Sequence, residues 1–243
     1  MDNKTKEFYE AHKDKDFTYP SLPSTVNEKE GVAVCKFVLQ QMLDNNIGWL
    51  ELDVASVNNR EYEDIGVTFK TRLEIDRLVP HMKKLPLGID GITLYNSKWL
   101  YIDGADVTEL SNWWWQNMAG DKLTKLNVWR MKPNEYVAPH NINIKELTDN
   151  IDNLDMIDYP FPIVVNMVEP GLDCHTVVEG MGIVPNQLGR IFLINPNLER
   201  CMVNNGKTDS IRMHGYIRPG MEFQRWCDLI TRSYMRQLSI QNA

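Results

Sequence analysis

The feature that most constrains the fold is a run of short apolar segments, separated by turn residues, in the second half of the chain. Seven such segments follow one another at 126–131, 136–140, 162–168, 175–178, 190–195, 200–203 and 211–217. Proline, asparagine and glycine fill the connections, as in Asn204-Asn205-Gly206. Many short strands at close spacing are typical of a sandwich or barrel, and here the pattern favours a jelly-roll.

Helical segments flank this run, so the sequence predicts an α+β protein that is mainly β. Asn27 and Glu30 have the spacing of a capping box ahead of a helix, which the Asn45-Asn46 pair ends. Further helices are expected over 72–84, after Asp106 and over 222–238.

The same patterns predict the domain organisation. Residues 1–30 are polar and charged, which is typical of an arm that is ordered only where something holds it. We expect a single domain over 31–243. It would contain a lead-in of helices and strands (31–124), a jelly-roll core (125–218) and a C-terminal helix (219–243).

Charge and composition exclude several classes of protein. The formal net charge of −7 argues against a general affinity for nucleic acid or for an anionic membrane surface. No run of eighteen apolar residues exists, and the first residues lack the apolar core of a signal peptide. The four cysteines form no C-x-x-C pair, which is typical of reduced, buried thiols in an intracellular protein.

Two of the predicted strands carry a pattern with chemical meaning. The first is Val137-Ala138-Pro139-His140-Asn141, and the second is Leu198-Glu199-Arg200-Cys201-Met202-Val203-Asn204-Asn205. Together with the strand order, they resemble the 2-oxoglutarate/Fe(II) oxygenases of the aspartyl/asparaginyl β-hydroxylase group, including short members encoded by tailed phages. The resemblance covers about residues 125–218 and implies a double-stranded β-helix, a cupin-like jelly-roll barrel that holds Fe(II) and 2-oxoglutarate.

The resemblance also assigns positions to the ligands, and this chain departs from them. His140 fills the place of the first metal-binding histidine, whereas Arg200 stands where the second one is expected. Ile142 occupies the position that supplies a carboxylate in the wider superfamily. The arginine that binds 2-oxoglutarate would fall at or near Ser210, and Arg212 lies two residues further along the same strand face. A guanidinium stays protonated and offers no lone pair, so Arg200 cannot coordinate a metal.

Three interpretations of His140 remain open. It is a surviving metal ligand, a histidine at the barrel mouth with no metal, or part of a rearranged site with His175 or His214. The rearranged site requires imidazoles on separate predicted strands to converge.

Three consecutive tryptophans, Trp113, Trp114 and Trp115, lie on a predicted helix. Adjacent helical residues point about 100° apart, so the three rings cannot all face one core. One interpretation is two core rings and one partly exposed ring. The other is a contact surface for a protein partner or a second copy of the chain.

Two hypotheses for the function follow. In the first, the chain is a catalytically degenerate oxygenase-type barrel that binds or assembles with other proteins, as a phage virion or assembly component. It would have no catalytic residues and no cofactor, and would lie in the host cytoplasm or the virion. In the second, it is an active Fe(II)/2-oxoglutarate-dependent hydroxylase whose metal is held by His140 with His214 or His175, and whose cosubstrate is held by Arg212.

Overall fold

The computed structural model describes residues 1–54, 83–84, 100–103, 126–141, 161–166, 173–185, 190–217 and 223–243. This part of the chain contains three α-helices: α1 (Asn3–His12), α2 (Gly31–Leu43) and α3 (Phe223–Gln241). None of these helices is long and apolar enough to cross a membrane.

Eleven strands are described, and all their pairings are antiparallel. Their bounds are β1 (Trp49–Glu51), β2 (Lys83–Lys84), β3 (Leu100–Asp103), β4 (Leu126–Met131), β5 (Tyr136–His140), β6 (Phe161–Asn166), β7 (Cys174–Val178), β8 (Gly182–Ile183), β9 (Ile191–Ile194), β10 (Arg200–Asn204) and β11 (Ser210–Ile217). A seven-stranded sheet has the order β1-β9-β6-β11-β4-β3-β2, and a four-stranded sheet has the order β5-β10-β7-β8.

The last eight strands pair in a nested way. The first of them pairs with the eighth (β4 with β11), the second with the seventh (β5 with β10), the third with the sixth (β6 with β9) and the fourth with the fifth (β7 with β8). Each such pair belongs wholly to one sheet, and successive pairs alternate between the two sheets. The chain therefore behaves as one long hairpin that is folded back and forth between two layers.

The two sheets pack face to face around an apolar core. One cluster of buried residues joins both sheets and the β1 region: Trp49, Val164, Val178, Met181, Val184, Phe192, Ile194 and Leu198. A polar contact also crosses between the layers, since the Asn204 side-chain amide in β10 donates 3.0 Å to the Met131 carbonyl in β4. Burial of apolar surface between the layers is the main force that holds them together.

Helices α2 and α3 flank the edge of the larger sheet. The buried amide of Asn195, just after β9, donates to the carbonyls of Met42 and Ile47, at 2.8 Å each. Ser233 of α3 accepts a 2.8 Å hydrogen bond from the Asp53 amide. The two bonds from Asn195 satisfy carbonyls at and just after the end of α2 and so fix that helix against the sheet, whereas the Ser233 bond ties α3 to the residues after β1.

The segment before α2 is held along its length. Helix α1 begins with Asp2 as its N-cap, and Thr5 and Tyr9 are its buried residues. Tyr9 packs on the outer face of the four-stranded sheet with Val177, Cys201 and Val203. Further on, the Tyr19 hydroxyl donates 3.1 Å to the Trp49 carbonyl.

Most of the expected strands are present, and β4 and β5 have the predicted bounds. Strand β8 was not among the expected strands; its two residues follow Gly180-Met181 and pair with β7. The predicted helix over 72–84 is wrong at its end, since Lys83–Lys84 is the strand β2; the rest of it lies outside the described residues.

The predicted capping box is also wrong. Helix α2 begins at Gly31 after Glu30, which makes no side-chain capping bond. Asn27 instead accepts a 3.1 Å bond from the Lys29 amide and donates to Glu30 within the preceding turn. Short polar side chains compete in this way for nearby backbone groups.

Candidate functional site

The candidate site is built on β5 and β10, whose pairing places His140 and Arg200 opposite each other as Cα partners. The register is not uniform, since Val137 pairs with Met202. The interval from Val137 to His140 on β5 is three residues, whereas the paired interval from Met202 to Arg200 on β10 is two. Strand β5 therefore carries one extra residue there. A bulge of this kind re-aims the side chains that follow it, and here it brings His140 to the same face as Arg200.

That shared face points into the space between the sheets. Arg200 also pairs with Val178 of β7, which belongs to the core cluster that includes residues of the opposite sheet. Opposed residues in a sheet lie on one face, so Arg200 is directed inward. It is only 8% exposed. The guanidinium is therefore held in protein surroundings beside the histidine.

His140 is held in one orientation by its own strand. Its Nδ1 lies 2.8 Å from the Ala138 carbonyl oxygen. A carbonyl only accepts, so Nδ1 carries the proton and, in the neutral ring, Nε2 carries the lone pair. Burial, and after it the charge of Arg200, lowers the pKa of His140 to about 4. The imidazole is thus neutral near pH 7.

Arg212 reaches across from the other sheet. It lies on β11 and is 2% exposed. Its Nε donates 3.1 Å to Ser210 Oγ, and its two terminal nitrogens donate to Thr176 Oγ1 at 2.6 Å and to Cys174 Sγ at 3.1 Å. Thr176 and Cys174 lie on β7 in the four-stranded sheet, so Arg212 bridges the two layers.

His175 does not join this group. Cys174 and Thr176 point inward toward Arg212, so His175 between them points outward. There its Nδ1 is hydrogen-bonded to the Tyr9 hydroxyl of α1 at 2.7 Å, with the two rings stacked. The structure therefore does not bring His175 and His140 together, and the form of the rearranged site that uses His175 finds no support.

The remaining predicted site residues are only partly described. His214 pairs with Val164 of β6 and Asn127 of β4, and its side chain lies outside the described part of the structure. Trp113, Trp114, Trp115 and Ile142 also lie outside the described residues.

The donor set can be compared with what Fe(II) requires. Iron of this class is held by two imidazoles, commonly with a carboxylate. His140 offers one lone pair at Nε2, and Arg200 offers none. Within the described ranges, no three His, Cys, Asp or Glu side chains are grouped so that they could hold a metal ion. The residues placed here therefore do not fit the expected iron site.

Sequence reasoning missed the partners of Arg212 and His175. The alternation of β7 showed that Cys174 and Thr176 share one face and His175 the other, but not which face was inward. The partner of His175 lies in α1, which was expected to be an arm, and no sequence signal pointed to that contact.

Neither a protein-family model nor a curated protein sequence matches the chain. Several solved structures are similar to it at low identity. A prolyl-4-hydroxylase from Pseudomonas putida is 12% identical, with 76% of this chain and 98% of that chain covered and a TM-score of 0.42.

An oxidoreductase of the 2OG-Fe(II) oxygenase family from Burkholderia pseudomallei is 11% identical, with 84% of this chain and 95% of that chain covered and a TM-score of 0.45. A viral collagen prolyl hydroxylase from Paramecium Bursaria Chlorella virus-1 is 13% identical, with 72% of this chain and 97% of that chain covered and a TM-score of 0.41. At these identities and scores, the likenesses carry no argument about the function of this chain.

Proposed function

We propose that the chain is a double-stranded β-helix of the 2-oxoglutarate-oxygenase type that has lost its iron site and acts as a binding or structural protein. The nested pairing of β4 to β11 supports this fold, because a jelly-roll is a long hairpin rolled into two facing sheets. The pairing of His140 with Arg200 supports the loss of iron.

The single observation that carries the proposal is the position of Arg200. The resemblance expects the two imidazoles to stand close together on the strands that are β5 and β10 here. The register places His140 and Arg200 directly opposite each other. Arg200 thus supplies a fixed positive charge where a metal ligand would be needed, and a cation next to it is disfavoured by Coulomb repulsion.

The test is the metal content of the purified protein, followed by anaerobic titration with Fe(II) and 2-oxoglutarate. We expect less than stoichiometric iron and no metal-dependent formation of succinate. His12→Ala is the matched control for His140→Ala, since His12 lies in α1, on the outer side of the four-stranded sheet, where its Nδ1 accepts a 3.0 Å hydrogen bond from the Gly180 amide. Stoichiometric iron that His140→Ala abolishes and His12→Ala retains would overturn the proposal.

A second candidate function is favoured by one observation. The bond from Nδ1 of His140 to the Ala138 carbonyl leaves Nε2 available, and metal-binding histidines commonly hold their other nitrogen in this way. In this candidate, an active hydroxylase would use His140 with His214 for Fe(II), and Arg212 for 2-oxoglutarate. Succinate formation that both His140→Ala and His214→Ala abolish would decide in its favour.

The assembly role rests on sequence character and on the resemblance to phage-encoded members. We propose that Trp113, Trp114 and Trp115 contribute to a surface for a protein partner or a second copy of the chain. Sedimentation velocity of the wild type and of the Trp114→Ala variant measures self-association. A wild-type monomer at all concentrations would exclude the second copy and leave a different protein as the partner. A phage virion role predicts that the protein is found in purified particles.

A further inference from the structure

Helices α2 and α3 approach each other closely at Gly31. The Thr231 hydroxyl of α3 donates 3.0 Å to the Gly31 carbonyl. A Cβ built on Gly31 would lie 3.5 Å from Asp228 Oδ1 and 3.6 Å from Thr231 Oγ1. The start of α2 thus lies in ordinary van der Waals range of side chains of α3.

Two cysteines lie one helical turn from this crossing. Cys35 follows Gly31 by four residues on α2, and Cys227 precedes Thr231 by four residues on α3, so each shares the face of its neighbour at the crossing. Both side chains are fully buried, and the two thiols are joined by a side-chain hydrogen bond.

The other two cysteines lie in different surroundings. Cys174 is inside the space between the sheets, where its sulfur accepts from Arg212. Cys201 is on the outer face of the four-stranded sheet, beside Tyr9. All four cysteines are reduced. Among the described residues, Cys35 and Cys227 are the two cysteines whose thiols interact with each other.

We propose that Cys35 and Cys227 form a redox-sensitive lock between α2 and α3, open as two thiols in a reducing medium and closed by a disulfide in an oxidising one. The oxidant is a small organic disulfide. The Cys227 thiolate attacks one of its sulfurs, the S–S bond breaks, and one thiol leaves with a proton. Cys35 then attacks the Cys227 sulfur of the mixed disulfide and releases the second thiol, so two protein thiols are oxidised and one disulfide is reduced.

The environments of the two thiols fit this order of events. The hydrogen bond from Cys35 lowers the pKa of the Cys227 thiol, whereas burial raises the pKa of the Cys35 thiol well above its ordinary value. Cys227 is therefore the first of the two to ionise. Since both are buried, exchange proceeds when the start of α3 opens locally.

The experiment is equilibration of the full chain in 2-hydroxyethyl disulfide and its thiol at set ratios, followed by acid quenching, intact mass and peptide mapping. We expect a loss of two hydrogens and a Cys35–Cys227 cross-linked peptide. The melting temperature of the oxidised protein should rise by roughly 5–10 °C, because the cross-link restricts the unfolded chain.

Cys201→Ala is the matched control and should form the cross-link as the wild type does. Cys35→Ala should abolish both the mass change and the rise in melting temperature. If the wild type under the most oxidising conditions retains free Cys35 and Cys227, or carries only mixed disulfides, the proposal is wrong. This result in the wild type decides the matter even where a variant fails to fold. The lock is independent of the proposed function, because neither iron nor 2-oxoglutarate enters the test.

Discussion

Arg200 of β10 lies directly across from His140 of β5, and the single extra residue in β5 is what turns the two side chains to the same side. Arg200 carries a permanent charge, while His140 is held neutral with its lone pair on Nε2. The charge of Arg200 disfavours a cation beside it, whereas Nε2 of His140 is a potential metal ligand.

Replacing Arg200 with histidine should create a site for a divalent metal with His140. It removes the positive charge and adds a second imidazole at the paired position, so the affinity for Co(II) or Ni(II) should rise roughly tenfold or more. Calorimetric titration measures this. Arg200→Gln removes the charge without adding a ligand, and equal affinities for the two variants would show that charge alone is responsible.

The fold should lose stability in mild acid because of His140. Its pKa is about 4 in the folded protein, against an ordinary value of 6.5, mainly through burial and then through Arg200. The unfolded chain therefore binds a proton first, and stability present above pH 6.5 is lost as the pH falls toward 4. The loss is about 3 kcal/mol at most.

An NMR titration of the His140 ring, with urea unfolding at pH 7 and pH 5, checks this prediction. Arg200→Gln should raise the pKa of His140 and reduce the loss of stability between the two pH values. A ring that titrates near 6.5 in the wild type would contradict the burial of His140 described above.

Removing the guanidinium that bridges the sheets should destabilise the fold. Arg212→Met leaves the hydroxyls of Thr176 and Ser210 without their donor in a buried space, which should cost about 3 kcal/mol in urea unfolding. Thr176→Val is the milder comparison, at about 1 kcal/mol. Equal stability of Arg212→Met and the wild type would mean that the bridge contributes nothing.

Tyr9→Phe should loosen α1 without unfolding the rest of the protein. The change removes the hydroxyl bonded to His175 Nδ1 and keeps the ring, so the local opening free energy of α1 should fall by about 1 kcal/mol. Amide hydrogen exchange of residues 3–12 measures it. Lys13→Ala, which loses a surface ion pair with Glu10 and an ammonium 5.5 Å from the centre of the Tyr9 ring, should have a smaller effect.

Asn195→Asp should strongly destabilise the fold, although the two side chains have nearly the same size. The amide of Asn195 donates to two carbonyls, and a carboxylate there would face those oxygens with no donor. We expect a loss of about 3 kcal/mol or more in thermal or urea unfolding. Asn197→Asp, at a partly exposed position two residues further on, should cost far less.

The sequence predicted the strands well because their turns carry strong local signals and their apolar runs are short. It placed His140 and Arg200 on strands, but their register depends on a bulge that no residue pattern announces. Helix α1 was expected to be an arm because few of its residues are apolar. Its stability comes instead from Tyr9, which packs on strands far away in the chain, and from the burial of Thr5. The sequence also left open which face of β7 points toward the other sheet, because both of its faces are covered.

The docking of the first helix has a consequence for how the protein is made. Tyr9 bonds to a residue 166 positions later, and Tyr19 bonds to a residue 222 positions later. Because synthesis proceeds at roughly 5–20 residues per second, many seconds pass between the synthesis of this segment and that of its binding surface. Until then, that segment is available to chaperones and proteases.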